Sequence, residues 1–116
     1  RAEVRRERAK VRIEGYGQRL SSEAPLQAIV RSRSGEALDA AEIELLESLS
    51  MQTYTRWQYV FGEYNEGLLE WENLPIEDWR RVVRENPYMV TTWRRRGDRG
   101  FHPKFTEFVE EPLFAE

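Results

Sequence analysis

The stretch Asp39–Gly67, DAAEIELLESLSMQTYTRWQYVFGEYNEG, decides the fold. Asp39 is followed three residues later by Glu42, the spacing at which an N-cap carboxylate and a returning glutamate satisfy each other's backbone donors. From there Ile43, Leu46, Ser50, Thr53/Tyr54, Trp57, Val60/Phe61 and Tyr64 recur about every 3.5 residues, the repeat of one helix face. Asn65-Glu66-Gly67 closes the series. The pattern predicts a central helix from Asp39 to about Asn65, about six turns long, on which the core is organised.

On its N-terminal side, Leu26, Ile29 and Val30 lie at helical spacing between Pro25 and Arg33, with Gly35 just beyond, which predicts a short helix of about two turns. On its C-terminal side three more helices are expected, each opened by proline, whose fixed φ and missing donor suit the first helical position. Pro75 leads Ile76, Trp79, Val82 and Val83. Pro87 leads Met89, Val90 and Trp93 up to Gly97, and Pro103 leads Phe105, Phe108 and Val109 up to Pro112. Arg1–Glu14 is built of strong helix formers with charges of mixed sign, and Gly15 and Gly17 around Tyr16 bend or end it. Val11–Glu14 also alternates like a strand, yet no second strand is evident to pair with it. The reading is an all-α chain of five or six helices packed around one long central helix, with residues 1–18 a basic helical stalk and residues 19–116 the globular domain.

A length of 116 residues supports one core and not two. With 40% hydrophobic and 34% charged residues the chain is not a disordered tail, and no apolar run approaches the ~18 residues of a membrane span. Cysteine is absent, which removes disulfides, thiolate metal sites and cysteine nucleophiles together. Four Trp, five Tyr and five Phe must supply the packing instead. The net charge of −3 is unevenly placed, because residues 1–19 carry seven basic and three acidic groups ahead of an acidic body.

No catalytic, cofactor-binding or metal-binding residue set is read from this chain. His102 is its only histidine, and it precedes a proline at a helix start, where a cap or surface role is expected. Phosphate loops and nucleophile elbows are missing. Glu63, Glu66, Glu70, Glu72, Glu77 and Asp78 lack the paired Glu-x-x-His units of a carboxylate metal centre and read as a solvated face. The rings of Tyr54, Trp57, Phe61, Tyr64, Trp79 and Trp93 read as core, while Trp71, between Glu70 and Glu72, either folds back onto the core or faces a partner. Arg94, Arg95, Arg96 and Arg99 form a possible anion patch, and they also suit the negative end of a helix dipole. The embedded Arg96-Gly97-Asp98 matches the adhesion tripeptide, a match frequent by chance.

The order Leu26-x-x-Ile29, Gly35, Leu38-x-x-x-Glu42, Tyr59 to Gly67-Leu68-Leu69, Trp79, Pro87, Trp93 and Phe101-x-Pro103-x-Phe105-x-x-Phe108-Val109 resembles a group of small bacterial helical domains of unknown function that usually follow one N-terminal transmembrane helix. The likeness spans about four-fifths of the chain and implies a domain tethered on the cytoplasmic side of the bacterial inner membrane. It carries over no activity or cofactor. A start at Arg1 rather than Met is in keeping with an upstream segment. Arg1, Arg5, Arg6, Arg8, Lys10 and Arg12 are then the membrane-proximal basic residues, placed to set orientation and meet anionic lipid. The expected role is interaction or scaffolding with a protein partner or a second copy. The alternative is a nucleic-acid or anionic-ligand module using the Arg-rich segments, which a pI near 5.4 disfavours.

Overall fold

The computed structural model describes residues 23–96 and 100–115; the stalk at 1–18 lies outside the described residues. Within them the chain is all-α and contains five α-helices: α1 (Glu23–Arg33), α2 (Ala40–Asn65), α3 (Ile76–Glu85), α4 (Pro87–Arg96) and α5 (Pro103–Phe108). A 3₁₀ turn at Trp71–Asn73 precedes α3, and a π turn at Val109–Leu113 follows α5. No helix among the described residues is long and apolar enough to cross a membrane.

The long helix begins and ends by the chemistry its sequence specifies. Glu42 N–H donates to Asp39 Oδ1 at 2.8 Å while Asp39 N–H donates to Glu42 Oε1 at 3.1 Å, a complete capping box. At the far end Gly67 adopts φ +82°. Its N–H reaches Tyr64 O, and Leu68 N–H reaches Glu63 O, the paired bonds of a Schellman stop. Gly35, at φ +75°, ends α1 in the same way. Between the caps α2 runs for 26 residues, about seven turns, over the span that its apolar spacing predicts.

One face of α2 buries Leu46, Ser50, Tyr54, Trp57 and Phe61. The aromatic half is the centre of the core. Trp57 stacks on Trp79 of α3 with centroids 5.1 Å apart, Phe61 stacks on Phe108 of α5 at 4.6 Å, and Tyr54 meets Trp93 of α4 at 4.9 Å. Rings of this size bury ~150–250 Å² each, so three shorter helices suffice to close the domain. Burial pushes the Tyr54 phenol well above its ordinary value, and its hydroxyl donates to Met89 O at 2.9 Å.

Three local expectations shift. Pro75 is the residue before α3 and not its first turn, whereas Pro87 and Pro103 do open α4 and α5. Pro112 does not end the last helix; it sits inside the π turn, where Phe114 N–H reaches back to Val109 O. A widened turn accommodates a residue that has no N–H to give to the ladder. In α1, Leu26 and Val30 face outward at 53% and 59% exposure while Pro25 and Ala28 are buried. Small side chains form the contact there, and of the apolar series of α1 only Ile29 is partly buried.

Candidate anion-binding cleft

The segment Arg94-Arg95-Arg96 ends α4, where cations are favoured by the helix dipole, but consecutive helical residues point about 100° apart, so the three do not all share one face. The structure separates them accordingly. Arg95 Nη1 lies 2.8 Å from Glu47 Oε1 and Arg96 Nη1 lies 3.4 Å from Glu47 Oε2, so both are drawn onto one carboxylate of α2. Glu47 is 13% exposed, whereas the two arginines are 59% and 58% exposed. Arg94 turns the other way. Arg99, and with it Gly97 and Asp98 of the adhesion tripeptide, lies outside the described residues, as do Arg1, Arg5, Arg6, Arg8, Lys10 and Arg12.

Arg94 lines a cleft of about 690 Å³ between α3, α4 and the C-terminal turn. Arg80 and Arg84, one turn apart on α3, stand across from it. The floor is apolar, made by Val83, Val90, Leu113 and Phe114. Among the described residues no carboxylate lines this cleft. Arg80 is committed, with Nη1 donating to Glu77 Oε1 at 3.2 Å and Nη2 donating to Ala115 O at 2.9 Å. The latter bond fastens the C-terminal turn to α3. Arg84 and Arg94 are exposed and make no ion pair among the described residues. Two unpaired guanidiniums over an apolar floor suit an occupant that joins negative charge to apolar surface.

The sequence points to Arg94 but not to its companions. Arg80 and Arg84 were recoverable from their i, i+4 spacing beside Val83, which places all three on neighbouring strips of α3. Leu113 and Phe114 were not, because the π turn that carries them past Pro112 leaves no repeat to read. His102 takes the expected capping role: its Nδ1 accepts from Lys104 N–H at 3.1 Å, and its own N–H donates to Gln58 Oε1 of α2 at 2.8 Å. Trp71 does both things open to it. Its ring meets Tyr64 and Phe108 edge-on at 5.4 and 5.9 Å, and it remains 43% exposed. No group of three or more Asp, Glu or His side chains able to hold a metal ion occurs among the described residues.

Comparison with family models, curated proteins and solved structures finds no match for this chain.

Proposed function

We propose that the chain is a helical interaction module that receives a negatively charged, partly apolar segment of a protein partner in the cleft of Arg80, Arg84 and Arg94. The observation that carries this reading is the pair Arg84 and Arg94, which border an apolar floor with no carboxylate among the described residues to neutralise them. Guanidinium groups are weakly hydrated planar donors and give charge-assisted bonds to carboxylates, and an apolar floor beside them adds area that excludes water. The second element of the proposal is a tether. The basic head of Arg1, Arg5, Arg6, Arg8, Lys10 and Arg12, together with the resemblance to anchored domains, supports a position beside the inner face of a bacterial membrane.

The nucleic-acid alternative fits less well. Arg94, Arg95 and Arg96 enter three separate depressions, and Glu77 and Asp78 stand within a turn of Arg80 and Arg81, so among the described residues the cations do not form one track for a phosphate backbone. A fluorescent peptide containing Glu-Trp-Glu, its Gln-Trp-Gln counterpart and a DNA duplex form the test set. The acidic peptide is expected to bind best and to lose about tenfold or more in affinity with Arg84→Gln/Arg94→Gln. Equal binding of the two peptides, or tighter binding of the duplex, overturns the reading. For the tether, co-sedimentation with anionic vesicles is expected to fall when the six basic residues become Gln, and equal pelleting with neutral vesicles removes it.

A further inference from the structure

We infer that the segment received by this cleft is the Glu70-Trp71-Glu72 turn of a second copy of the chain, so that the protein associates as a two-fold dimer. The inference rests on the cleft being an acceptor for anionic segments and names the segment. On α3, Ile76, Glu77, Arg80, Val83 and Arg84 fall at i, i+1, i+4, i+7 and i+8, which is one side of a helix. Along that side the charge changes from acidic to basic. Arg80 sits at the change and, with Ala115, borders both the basic cleft and a second depression of about 600 Å³ edged by Trp71, Glu72, Glu77 and Asp78. An acidic aromatic patch and a basic apolar patch therefore abut across the Arg80–Ala115 hydrogen bond.

Two complementary patches side by side have a geometric consequence. A two-fold axis passing between them lays each patch on its opposite in the other copy, which makes the surface self-complementary and closes the assembly at two subunits. Two α3 helices then run antiparallel, acidic first turn against basic last turn. Trp71 is suited to be the inserted group, because half of it is packed on Tyr64 and Phe108 and the other half is exposed, so it projects from a fixed base. Its ring would meet the floor of Val83, Leu113 and Phe114, with Glu70 and Glu72 reaching Arg84 and Arg94. Helix-dipole complementarity and the internal pairs Glu77–Arg80 and Asp78–Arg81 account for the charges they use. The dipole favours cations at Arg84 and Arg94, in the last turns of α3 and α4, but supplies neither with a counter-charge, and it leaves Glu70, Glu72 and the exposed indole unexplained. The four charged residues make no ion pair among the described residues.

Light scattering and sedimentation of the full 116-residue chain across a concentration series test this. The wild type is expected to move from monomer to dimer mass, and less so at high salt. Arg84→Glu/Arg94→Glu and Glu70→Arg/Glu72→Arg should each be monomeric with an unchanged helical spectrum. An equimolar mixture of the two should regain dimer mass, since each then offers the other a matched turn and cleft. A wild type that stays monomeric up to millimolar concentration overturns the second-copy inference, and the acidic-peptide titration still decides whether the cleft takes an anionic segment. A dimer that survives both charge reversals overturns the inference as well, placing the interface elsewhere. Reversal without rescue in the mixture has the same meaning.

Discussion

The two halves of α2 are one continuous helix and are held by different means. From Tyr54 to Tyr64 the inward face is aromatic and stacks on rings from α3, α4 and α5. From Ala40 to Ser50 the same face carries Leu46 and Ser50, its neighbours α1 and α4 bring the buried Ala28 and Thr92, and Ile43 stays 39% exposed. Polar links substitute there for missing apolar area. Arg31 holds α1 onto the cap of α2, with Nη1 donating to Glu42 Oε1 at 3.0 Å and Nη2 donating to Ala37 O at 2.8 Å. Arg33 Nε donates to Asn86 Oδ1 at 3.1 Å and ties α1 to the α3–α4 junction. Apolar burial is non-directional and additive in area, whereas each polar link contributes only a modest net amount. The aromatic half therefore carries most of the stability, and the capped half opens first.

The largest effect expected from this contrast is at Trp57. Trp57→Ala removes a ring stacked on Trp79 and leaves a cavity that its neighbours only partly fill, so a loss of ~3–5 kcal/mol is expected in chemical denaturation. Leu46→Ala in the other half should lose less. A Leu46→Ala loss exceeding that of Trp57→Ala would reverse the ranking of the halves.

The cap comes next. Asp39→Ala leaves Glu42 N–H without its side-chain acceptor and is expected to lose ~0.5–2 kcal/mol. Because Glu42 also receives Arg31, the loss should appear as faster amide exchange in the first turns of α2 and in α1, while exchange around Trp57 changes only with global stability. Uniform acceleration along α2 would mean that the halves unfold together.

Tyr54 lies where the halves meet. Tyr54→Phe removes the bond to Met89 O and is expected to lose about 0.5–1.5 kcal/mol near neutral pH. Burial raises the folded-state pKa of this phenol, so its folded form holds the proton more tightly than the unfolded chain does. The corresponding stability is fully present below about pH 10, where the unfolded phenol still holds its proton, and is lost as pH rises from there through the folded value. Tyr88, also raised by burial, adds the same sign to wild type and variant alike. The midpoint of the wild type should thus fall more steeply above pH 10 than that of Tyr54→Phe, and parallel declines would contradict the buried phenol.

What was legible in the sequence follows the same division. The capping box, the glycine stops at Gly35 and Gly67, the aromatic stripe and the prolines that open α4 and α5 all depend on neighbours within a few residues, and each is found where its pattern places it. The features that local patterns do not reveal depend on distant partners. The outward Leu26 and Val30, the division of Arg94 from Arg95 and Arg96 by Glu47, and the Arg80 anchor on Ala115 join residues far apart in the chain, for which one sequence offers no periodicity. Within Arg94-Arg95-Arg96 the fold decides which guanidiniums carry an internal ion pair: Arg95 and Arg96 do, on Glu47.

Glu47 offers the smallest effect and the sharpest test of how the capped half handles charge. Its carboxylate is largely withdrawn from water, while Arg95 and Arg96 reach it from the surface. Removing the charge by Glu47→Gln eliminates the one group that is costly to bury and lets two exposed guanidiniums return to solvent, so the net change should be within about 1 kcal/mol. Removing the arginines by Arg95→Gln/Arg96→Gln does the opposite, leaving a nearly buried carboxylate without a cation, and should lose more. The difference between the two variants is the signature, because a simple loss of surface ion pairs would give equal values. Salt provides the control: near 1 M, where screening acts over about 3 Å, the attraction of the exposed guanidiniums weakens while the carboxylate stays withdrawn from water, so the wild type should move toward Arg95→Gln/Arg96→Gln and Glu47→Gln should change least.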